Sequence, residues 1–173
     1  MSATLSVISM STPAPIAAVG IALRELVDSA DRSDRDRADR ASGPRTWAVL
    51  GDMQTAPELS ENERVVEHDR IGRLAVRLAV DKILCVGDSR SVRALHQGAV
   101  MEGSWGDEAR LLAADEAVSA LLAPEHADEV DWTPRPGDTV LLAAPGLPVE
   151  QLVQTWQERY GDAVVTRRAA EEV

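Results

Sequence analysis

Two acidic residues directly follow a glycine at the ends of apolar runs, in Gly51-Asp52-Met53 and in Gly87-Asp88-Ser89. Glycine lets the backbone turn sharply, and a carboxylate at such a turn could meet a hydroxyl, an amine or a metal-bound phosphate. Asp88 has an alternative role, since it could cap the following helix with Ser89 beside it. Capping is a weaker explanation for Asp52, because the next predicted helix begins well downstream.

A third turn, Ala144-Pro145-Gly146, follows another apolar run. A parallel sheet gathers the carboxyl ends of its strands at one edge, so we expect the three turns to converge. Met53, Leu147 and Trp105 would then expose apolar surface beside two carboxylates, which favours a protein partner. The alternative is that the charged insert or the C-terminal tail covers this edge. The residues predicted to face a partner or ligand are Gly51, Asp52, Met53, Gly87, Asp88, Ser89, Pro145 and Gly146.

Nucleotide-binding loops are missing from the sequence. Neither the G-x-G-x-x-G pattern nor the G-x-x-x-x-G-K-[ST] pattern occurs, and the only lysine, Lys82, opens an apolar run instead of following a glycine loop. Without such a cradle, tight binding of a nucleoside triphosphate by this chain alone is not expected. We therefore predict no cofactor.

The histidines and the cysteine give little support for catalysis or metal binding. His68 shares a helical stripe with apolar residues, which is typical of a packed, hydrogen-bonded core histidine. His96 and His126 have no partner at metal-ligand spacing, and Cys85 lies inside an apolar run where it should be inert. The apolar residues that share this stripe with His68 are Val65, Ile71, Ala75 and Leu78. We predict no catalytic residue and no metal site.

Composition indicates an ordinary globular domain. The chain has 173 residues, of which 45% are hydrophobic and 27% are charged, so wholesale disorder is excluded. Aromatic residues make up only 3%, with no phenylalanine, so Ala, Val, Leu and Ile must build the core. The single cysteine excludes an intramolecular disulfide.

The net charge of −11 is unevenly distributed. Residues 1–45 carry six acidic and six basic residues, so the whole excess lies in residues 46–173. Such an acidic domain repels a phosphate backbone, which argues against nucleic acid and anionic membranes as partners. The apolar stretch Ile16 to Leu23 is too short to span a bilayer, and no basic residue precedes it as in a secretory signal. We expect a cytoplasmic location.

Apolar runs alternate with helical patterns along the chain, and Ser60 with Glu63 forms a capping box. This alternation predicts a single α/β three-layer domain of Rossmann-like topology with a mostly parallel sheet over residues 1–162. A charged insert at residues 31–44, expected to be a solvated helix extension or a flexible loop, interrupts it, and residues 163–173 are predicted to be a tail. The predicted strands are 4–8, 46–50, 82–86, 110–113 and 138–143. The predicted helices are 15–30, 60–80, one that follows Ser89 and runs through His96, 115–122 and 149–160.

Five segments of the chain form a recognisable series: TWAVLGDM (46–53), EHDRIGRLAVRL (67–78), Val86-Gly87, GAVMEGSWGDE (98–108) and PGDTVL (136–141). Taken in order, they resemble the C-terminal domain of the bacterial UDP-N-acetylmuramoyl-tripeptide–D-alanyl-D-alanine ligases, most closely those of actinobacteria. The resemblance spans residues 4–156, and the order and spacing of the segments carry it more than any single motif does. It implies a Rossmann-like domain that closes over ATP and a dipeptide in a three-domain ligase of peptidoglycan synthesis.

The loops that would face ligands depart from this family. Where the family carries an Asp-x-Tyr-Asn-x-Asn-Pro-type segment near the adenosine, this chain has Ser9 to Pro15, SMSTPAP. Where the family has lysine and commonly arginine after the last strand, this chain has the uncharged stretch from Ala143 to Gly146. The family's catalytic roles therefore cannot be transferred to any position here.

These features together predict a stand-alone, degenerate homologue of the ligase C-terminal domain that is not catalytic alone. It would be a binding or scaffolding module for a protein partner in cytoplasmic cell-wall synthesis or division. One alternative is the closing subunit of a split ligase, in which case ATP would bind only once an ATPase partner completes the site. Another alternative is a fragment of a full ligase, which the starting methionine and the altered loops make less attractive.

Overall fold

The computed structural model describes residues 3–34, 43–103, 108–124, 127 and 130–170. Six strands form one sheet in the order β4-β3-β2-β5-β1-β6, and all of its pairings are parallel. Parallel neighbours need crossover connections, which the helices supply. The strands are β1 (Leu5–Ser9), β2 (Thr46–Leu50), β3 (Lys82–Val86), β4 (Ala109–Leu112), β5 (Thr139–Ala143) and β6 (Val164–Arg168).

Helices cover both faces of the sheet, so the predicted three-layer α/β arrangement is confirmed. The first three helices pack with one face of the strands and the last two pack with the other. Short 3-10 helices occur at Val130–Trp132 and Gly161–Ala163. The α-helices are α1 (Ile16–Asp34), α2 (Glu61–Arg77), α3 (Arg90–Glu102), α4 (Ala114–Leu121) and α5 (Val149–Tyr160).

The central strand β2 is buried along its whole length. Its side chains alternate between the layers, since Ala48 and Leu50 pack with the α1–α3 layer, whereas Trp47 and Val49 pack with the α4–α5 layer. Burial on both faces explains the continuous apolar run, which is typical of a central parallel strand. Trp156 on α5 is fully buried in the same layer as Trp47.

Helices α2 and α3 approach each other closely through two glycines. A Cβ atom added to Gly72 would lie 2.0 Å from the carbonyl oxygen of Leu95, and one added to Gly98 would lie 2.3 Å from that of Asp69. Only glycine permits this backbone separation. Beside the contact, Glu102 at the end of α3 accepts hydrogen bonds from Arg73 at 3.3 Å and Arg77 at 2.7 Å. The pKa of Glu102 is lowered, chiefly by the hydrogen bond from Arg77.

Asp138 is a buried hub at the amino edge of the sheet, with only 1% of its surface exposed. It accepts hydrogen bonds from the backbone N–H of Arg45 at 2.9 Å, from Nε1 of Trp47 at 3.0 Å and from the backbone N–H of Arg135 at 3.2 Å. The Arg45 guanidinium also pairs with it at 3.3 Å and lies 4.8 Å from the Trp47 ring centroid. A buried carboxylate needs such partners, and these tie the start of β2 to the start of β5.

Two predicted helices are shorter than those observed. Helix α1 continues to Asp34, so the first four residues of the predicted insert 31–44 are helical. Residues 35–42, which make up most of that insert, lie outside the described residues. Helix α3 runs to Glu102 instead of ending at His96, because its apolar face continues through Gly98 and Ala99 against α2.

The prediction of a tail over residues 163–173 is wrong for residues 164–168. These residues form β6, which pairs in parallel with β1 in the register Leu5 to Val164 and Ser9 to Arg168. Only Val164 is buried, and the other four side chains are exposed. An edge strand with so few buried residues lacks the apolar run by which the other strands were predicted.

Two negative findings hold for the described residues. No helix in that part of the chain is long and apolar enough to cross a membrane. No group of three or more His, Cys, Asp or Glu side chains among those residues is arranged to hold a metal ion.

Candidate functional site

The three predicted turns do meet at the carboxyl edge of the sheet. A Cβ atom added to Gly51, which follows β2, would lie 3.0 Å from Cδ of Pro145 after β5 and 3.0 Å from the carbonyl oxygen of Val86 at the end of β3. A side chain at position 51 would be crowded by the ends of the two neighbouring strands, β5 and β3. The structure therefore brings Gly51, Pro145 and the start of the Gly87 turn into one cluster.

This edge also contains the point where the chain leaves the sheet toward opposite faces. β5 lies between β2 and β1. β1 continues into α1 in one helical layer, whereas β5 continues into α5 in the other. In open α/β sheets, ligands bind outside the carboxyl ends of strands at such a switch point. The topology thus places the candidate site where this fold most readily forms one.

The serine- and proline-rich segment after β1 lies against the turn that follows β2. The backbone N–H of Gln54 donates to the carbonyl of Ala14 at 2.8 Å, and the N–H of Ile16 donates to the carbonyl of Gln54 at 2.9 Å. These reciprocal bonds fix the start of α1 beside the Gly51–Gln54 segment. We call that segment the Asp52 turn.

Ser89 joins the two predicted carboxylate turns. Its hydroxyl donates to Oδ1 of Asp52 at 2.7 Å and accepts from the backbone N–H of Val92 at 3.1 Å. Ser89 is therefore the N-cap of α3, and the alternative in which Asp88 is the cap is wrong. Asp88 and Asp52 are both exposed. Serine is a preferred N-cap residue, and the sequence signalled the cap only by placing one three residues before Val92, from whose N–H it accepts a hydrogen bond.

Met53 is buried, contrary to the prediction that it exposes apolar surface, with only 6% of its surface accessible. Its side chain belongs to the core between the sheet and the α1–α3 layer. Its backbone N–H donates to Nε2 of His68 at 3.0 Å. Burial of Met53 leaves Asp52 as the outward-facing side chain at the tip of the turn, so a partner would meet a carboxylate there and not a thioether.

His68 is a buried core residue, as its apolar stripe predicted, with 2% of its surface exposed. Because the Met53 N–H donates to Nε2, that nitrogen carries no proton. Nδ1 lies 2.7 Å from the carbonyl oxygen of Arg64, which only accepts, so Nδ1 carries the ring proton. The ring is thus the neutral Nδ1-protonated tautomer. Sequence spacing showed the apolar stripe but gave no sign of the bond to Met53.

The remaining predicted residues are only partly available to a partner. Pro145 and Leu147 are half-buried, and Gly146 is exposed with a positive φ of 84° that favours glycine. Trp105 and its Gly-Ser-Trp-Gly-Asp turn lie outside the described residues, except for the first glycine.

The turns that converge at Gly51 carry two carboxylates. Arg168, the last residue of β6, also lies at the carboxyl edge, where its guanidinium donates to the hydroxyl of Ser11 at 3.1 Å. In the described segments 10–15, 51–54, 87–89 and 144–148, the charged side chains are those of Asp52 and Asp88. These carboxylates can accept hydrogen bonds from amines, guanidiniums or hydroxyls, and they would repel phosphates. Cys85, near the end of β3, is buried, and burial raises the pKa of its thiol to about 12. It is therefore not a nucleophile at neutral pH.

Three surface cavities are lined by described residues, and one of them borders the converged turns at Pro148. One of about 280 Å³ lies between β4 and α4, one of about 480 Å³ at the start of α5, and one of about 360 Å³ along α2. None of their lining residues is among the eight predicted site residues.

Comparison with known proteins gives relatives for part of the chain. No protein-family model matches it. A UDP-N-acetylmuramoyl-tripeptide–D-alanyl-D-alanine ligase of Mycobacterium leprae is 51% identical over 100 residues, which are 58% of this chain and 17% of the relative. Ligases of the same name from Mycobacterium bovis and Mycobacterium tuberculosis are 46% identical in alignments of length 111 that cover 58% of this chain and 19% of each relative.

The chain thus spans less than a fifth of the length of these relatives. Identity near one half over a hundred residues is far above chance, and it falls on a chain whose motifs already pointed to these enzymes. Over 58% of its length, the chain is therefore homologous to part of the UDP-N-acetylmuramoyl-tripeptide–D-alanyl-D-alanine ligases, which confirms the resemblance predicted from its sequence.

Proposed function

We propose that this chain is a non-catalytic binding module of peptidoglycan synthesis that docks a protein partner at the carboxyl edge of its sheet. The observation that carries the proposal is the charge of the three turns that converge at Gly51. In these turns the charged side chains are those of Asp52 and Asp88, both exposed, and the loops that hold cationic or adenosine-facing residues in the ligase family contain no charged residue here. Such an edge favours contact with a protein over binding of ATP.

The partner surface complementary to this edge would carry arginine or lysine side chains. Exposed carboxylates at a docking rim mainly steer association and fix register, so their reversal should weaken binding without disturbing the fold. The resemblance to the ligase family, whose C-terminal domain closes over ATP, implies that this edge would face the ATPase domain. A ligase ATPase domain is therefore the partner proposed here.

The test uses the Mycobacterium tuberculosis ligase truncated to remove its C-terminal domain, titrated with this chain in a calorimeter. We expect saturable binding and no heat from ATP with the chain alone. The variant Asp52→Lys with Asp88→Lys should bind at least about tenfold more weakly. A matched control reverses two exposed acids on and after α5, Glu158→Lys with Asp162→Lys, and should stay within about threefold of the parent. Equal weakening in both variants, or in neither, would contradict docking at this edge.

A second function is favoured by the 46–51% identity to the ligases themselves. In this alternative the chain supplies the closing domain of a D-alanyl-D-alanine-adding ligase. The same mixture distinguishes the two possibilities when it also contains UDP-linked tripeptide, D-alanyl-D-alanine and ATP. Binding without ADP release supports the non-catalytic module, and ADP release that depends on this chain supports the closing domain.

A further inference from the structure

Three consecutive residues of the Asp52 turn are bound to three separate elements. The side chain of Asp52 accepts from Ser89 at the start of α3. The backbone N–H of Met53 donates to His68 on α2, and the N–H of Gln54 donates to Ala14 in the segment after β1. The middle bond is the buried one, because both Met53 and His68 are almost fully inaccessible.

We propose that His68 is a positioning residue for the Asp52 turn, holding the backbone at Met53 so that the Asp52 carboxylate stays outside and the Met53 side chain stays inside. The part of this proposal that concerns binding rests on the proposed docking function. The part that concerns the conformation of the turn stands independently of it.

The geometry explains why one hydrogen bond can have this effect. Asp52 and Met53 are adjacent, and one is exposed while the other is buried. A shift of the turn by one residue would exchange them, which would bury a carboxylate and expose a thioether. The acceptor at Nε2 of His68 selects one register, because a buried N–H without an acceptor is costly.

The second ring nitrogen fixes the acceptor in place. Nδ1 donates to the Arg64 carbonyl one turn earlier in α2, which sets both the orientation of the ring and its tautomer. The acceptor is therefore rigid, and it is supplied by a helix packed against the sheet. His68 thereby transmits the position of α2 to the turn that carries Asp52.

The first readout is spectroscopic and uses the unsubstituted chain labelled with nitrogen-15. We expect the His68 ring to show an unprotonated Nε2, a protonated Nδ1 and a scalar coupling across the hydrogen bond to the Met53 amide. A ring protonated at Nε2, or one without this coupling, would overturn the proposal even if every His68 variant failed to fold.

The second readout compares two substitutions that differ in reach. The glutamine in His68→Gln can place an oxygen where Nε2 lies, whereas the shorter asparagine in His68→Asn cannot. We expect amide exchange at Met53, normalised to that of Leu141 in β5, to accelerate about tenfold in His68→Asn and less than about threefold in His68→Gln. The matched control is His96→Gln, at a position about two turns along α3 from its cap, and it should leave the normalised amide exchange of Met53 unchanged.

The final readout is the affinity for the truncated ligase described above. We expect His68→Asn to weaken binding about fivefold and His68→Gln to restore it to within about twofold. Unchanged Met53 exchange in His68→Asn would overturn the positioning role whatever the binding result. If the parent chain does not bind the probe, the docking function fails, while the exchange comparison still decides the role of His68 in the turn.

Discussion

The hydroxyl of Ser89 lies 2.7 Å from Oδ1 of Asp52, joining two turns that are 37 residues apart in sequence. The hydroxyl oxygen of Ser89 also accepts from the backbone N–H of Val92, so this one side chain both caps α3 and holds the outward carboxylate of the neighbouring turn. Helix capping and the geometry of the candidate site therefore depend on one residue. This coupling can be measured.

Ser89→Ala should lower the free energy of unfolding by about 0.5–2 kcal/mol, because α3 loses its cap. Ser60→Ala is the matched control, since Ser60 caps α2 by the same kind of bond, at 3.2 Å from the N–H of Glu63, and its hydroxyl donates to the Glu63 carboxylate of its own helix at 3.1 Å. Urea denaturation of Ser89→Ala, Asp52→Ala and the double variant should reveal a coupling of about 0.5–1 kcal/mol. Strict additivity would mean that the bond between Ser89 and Asp52 contributes nothing to stability.

Gly72→Ala should destabilise the fold by about 3 kcal/mol or more, although alanine is the better helix former. The added Cβ would lie 2.0 Å from the Leu95 carbonyl oxygen, so α2 and α3 would have to move apart. For Gly20→Ala we expect the opposite result, because the added Cβ would make only ordinary contacts, at 3.7 Å with Arg24 of α1 and at 3.8 Å with Leu74 of α2. The free energy of unfolding of that variant should rise by about 0.5–1 kcal/mol. Thermal unfolding of both variants tests the glycine contact, and a neutral Gly72→Ala would contradict it.

Asp138→Ala should cost about 3–5 kcal/mol, because the partly buried Arg45 guanidinium loses its ion pair and the Trp47 Nε1–H loses its acceptor. Asp138→Asn keeps the shape and one acceptor oxygen and should cost less, about 1–3 kcal/mol. Asp162→Ala, at an exposed position, should stay within about 0.5 kcal/mol of the parent. Chemical denaturation of the three variants gives this ranking. If Asp138→Ala were no worse than Asp162→Ala, the hub would not stabilise the amino edge.

Cys85 should make the protein less stable in alkali. Burial raises the pKa of its thiol from 9.0 to about 12, so between these values the unfolded chain loses a proton that the folded chain keeps. Stability from this group is fully present below pH 9 and falls as pH rises toward 12, by about 1.4 kcal/mol between pH 8 and pH 10. Denaturation at both pH values should show this extra loss in the parent but not in Cys85→Ala. Equal losses in the two chains would contradict the raised pKa.

Local patterns predicted the elements that are buried on both faces or capped by their own side chains. The bounds of β2, β3 and α5 agree with the sequence prediction, and Ser60 caps α2 as its capping box indicated. In each case the determining interactions lie within a few residues along the chain. The resemblance to the ligases likewise depended on short segments in a fixed order, and the relatives confirm it.

Local sequence patterns did not predict the elements at the edge of the fold. Four of the five β6 side chains are exposed, so VVTRR has no apolar run, and only its pairing with β1 makes it a strand. The last turns of α3 form because Gly98 meets α2, a contact between helices that no local spacing encodes.

The sequence alone determined an acidic, three-layer α/β domain whose glycine turns gather at one edge. This was possible because the residue types within a short stretch of chain indicate which segments are buried and where the chain turns. Only the tertiary structure decided which side chains of those turns face outward. Met53 is buried because His68, fifteen residues away, accepts its N–H, and Ser89 caps α3 where Asp88 was the predicted alternative. These outcomes depend on hydrogen bonds between elements that meet only after the sheet has formed, so chain-local reasoning could place the turns but not orient their side chains.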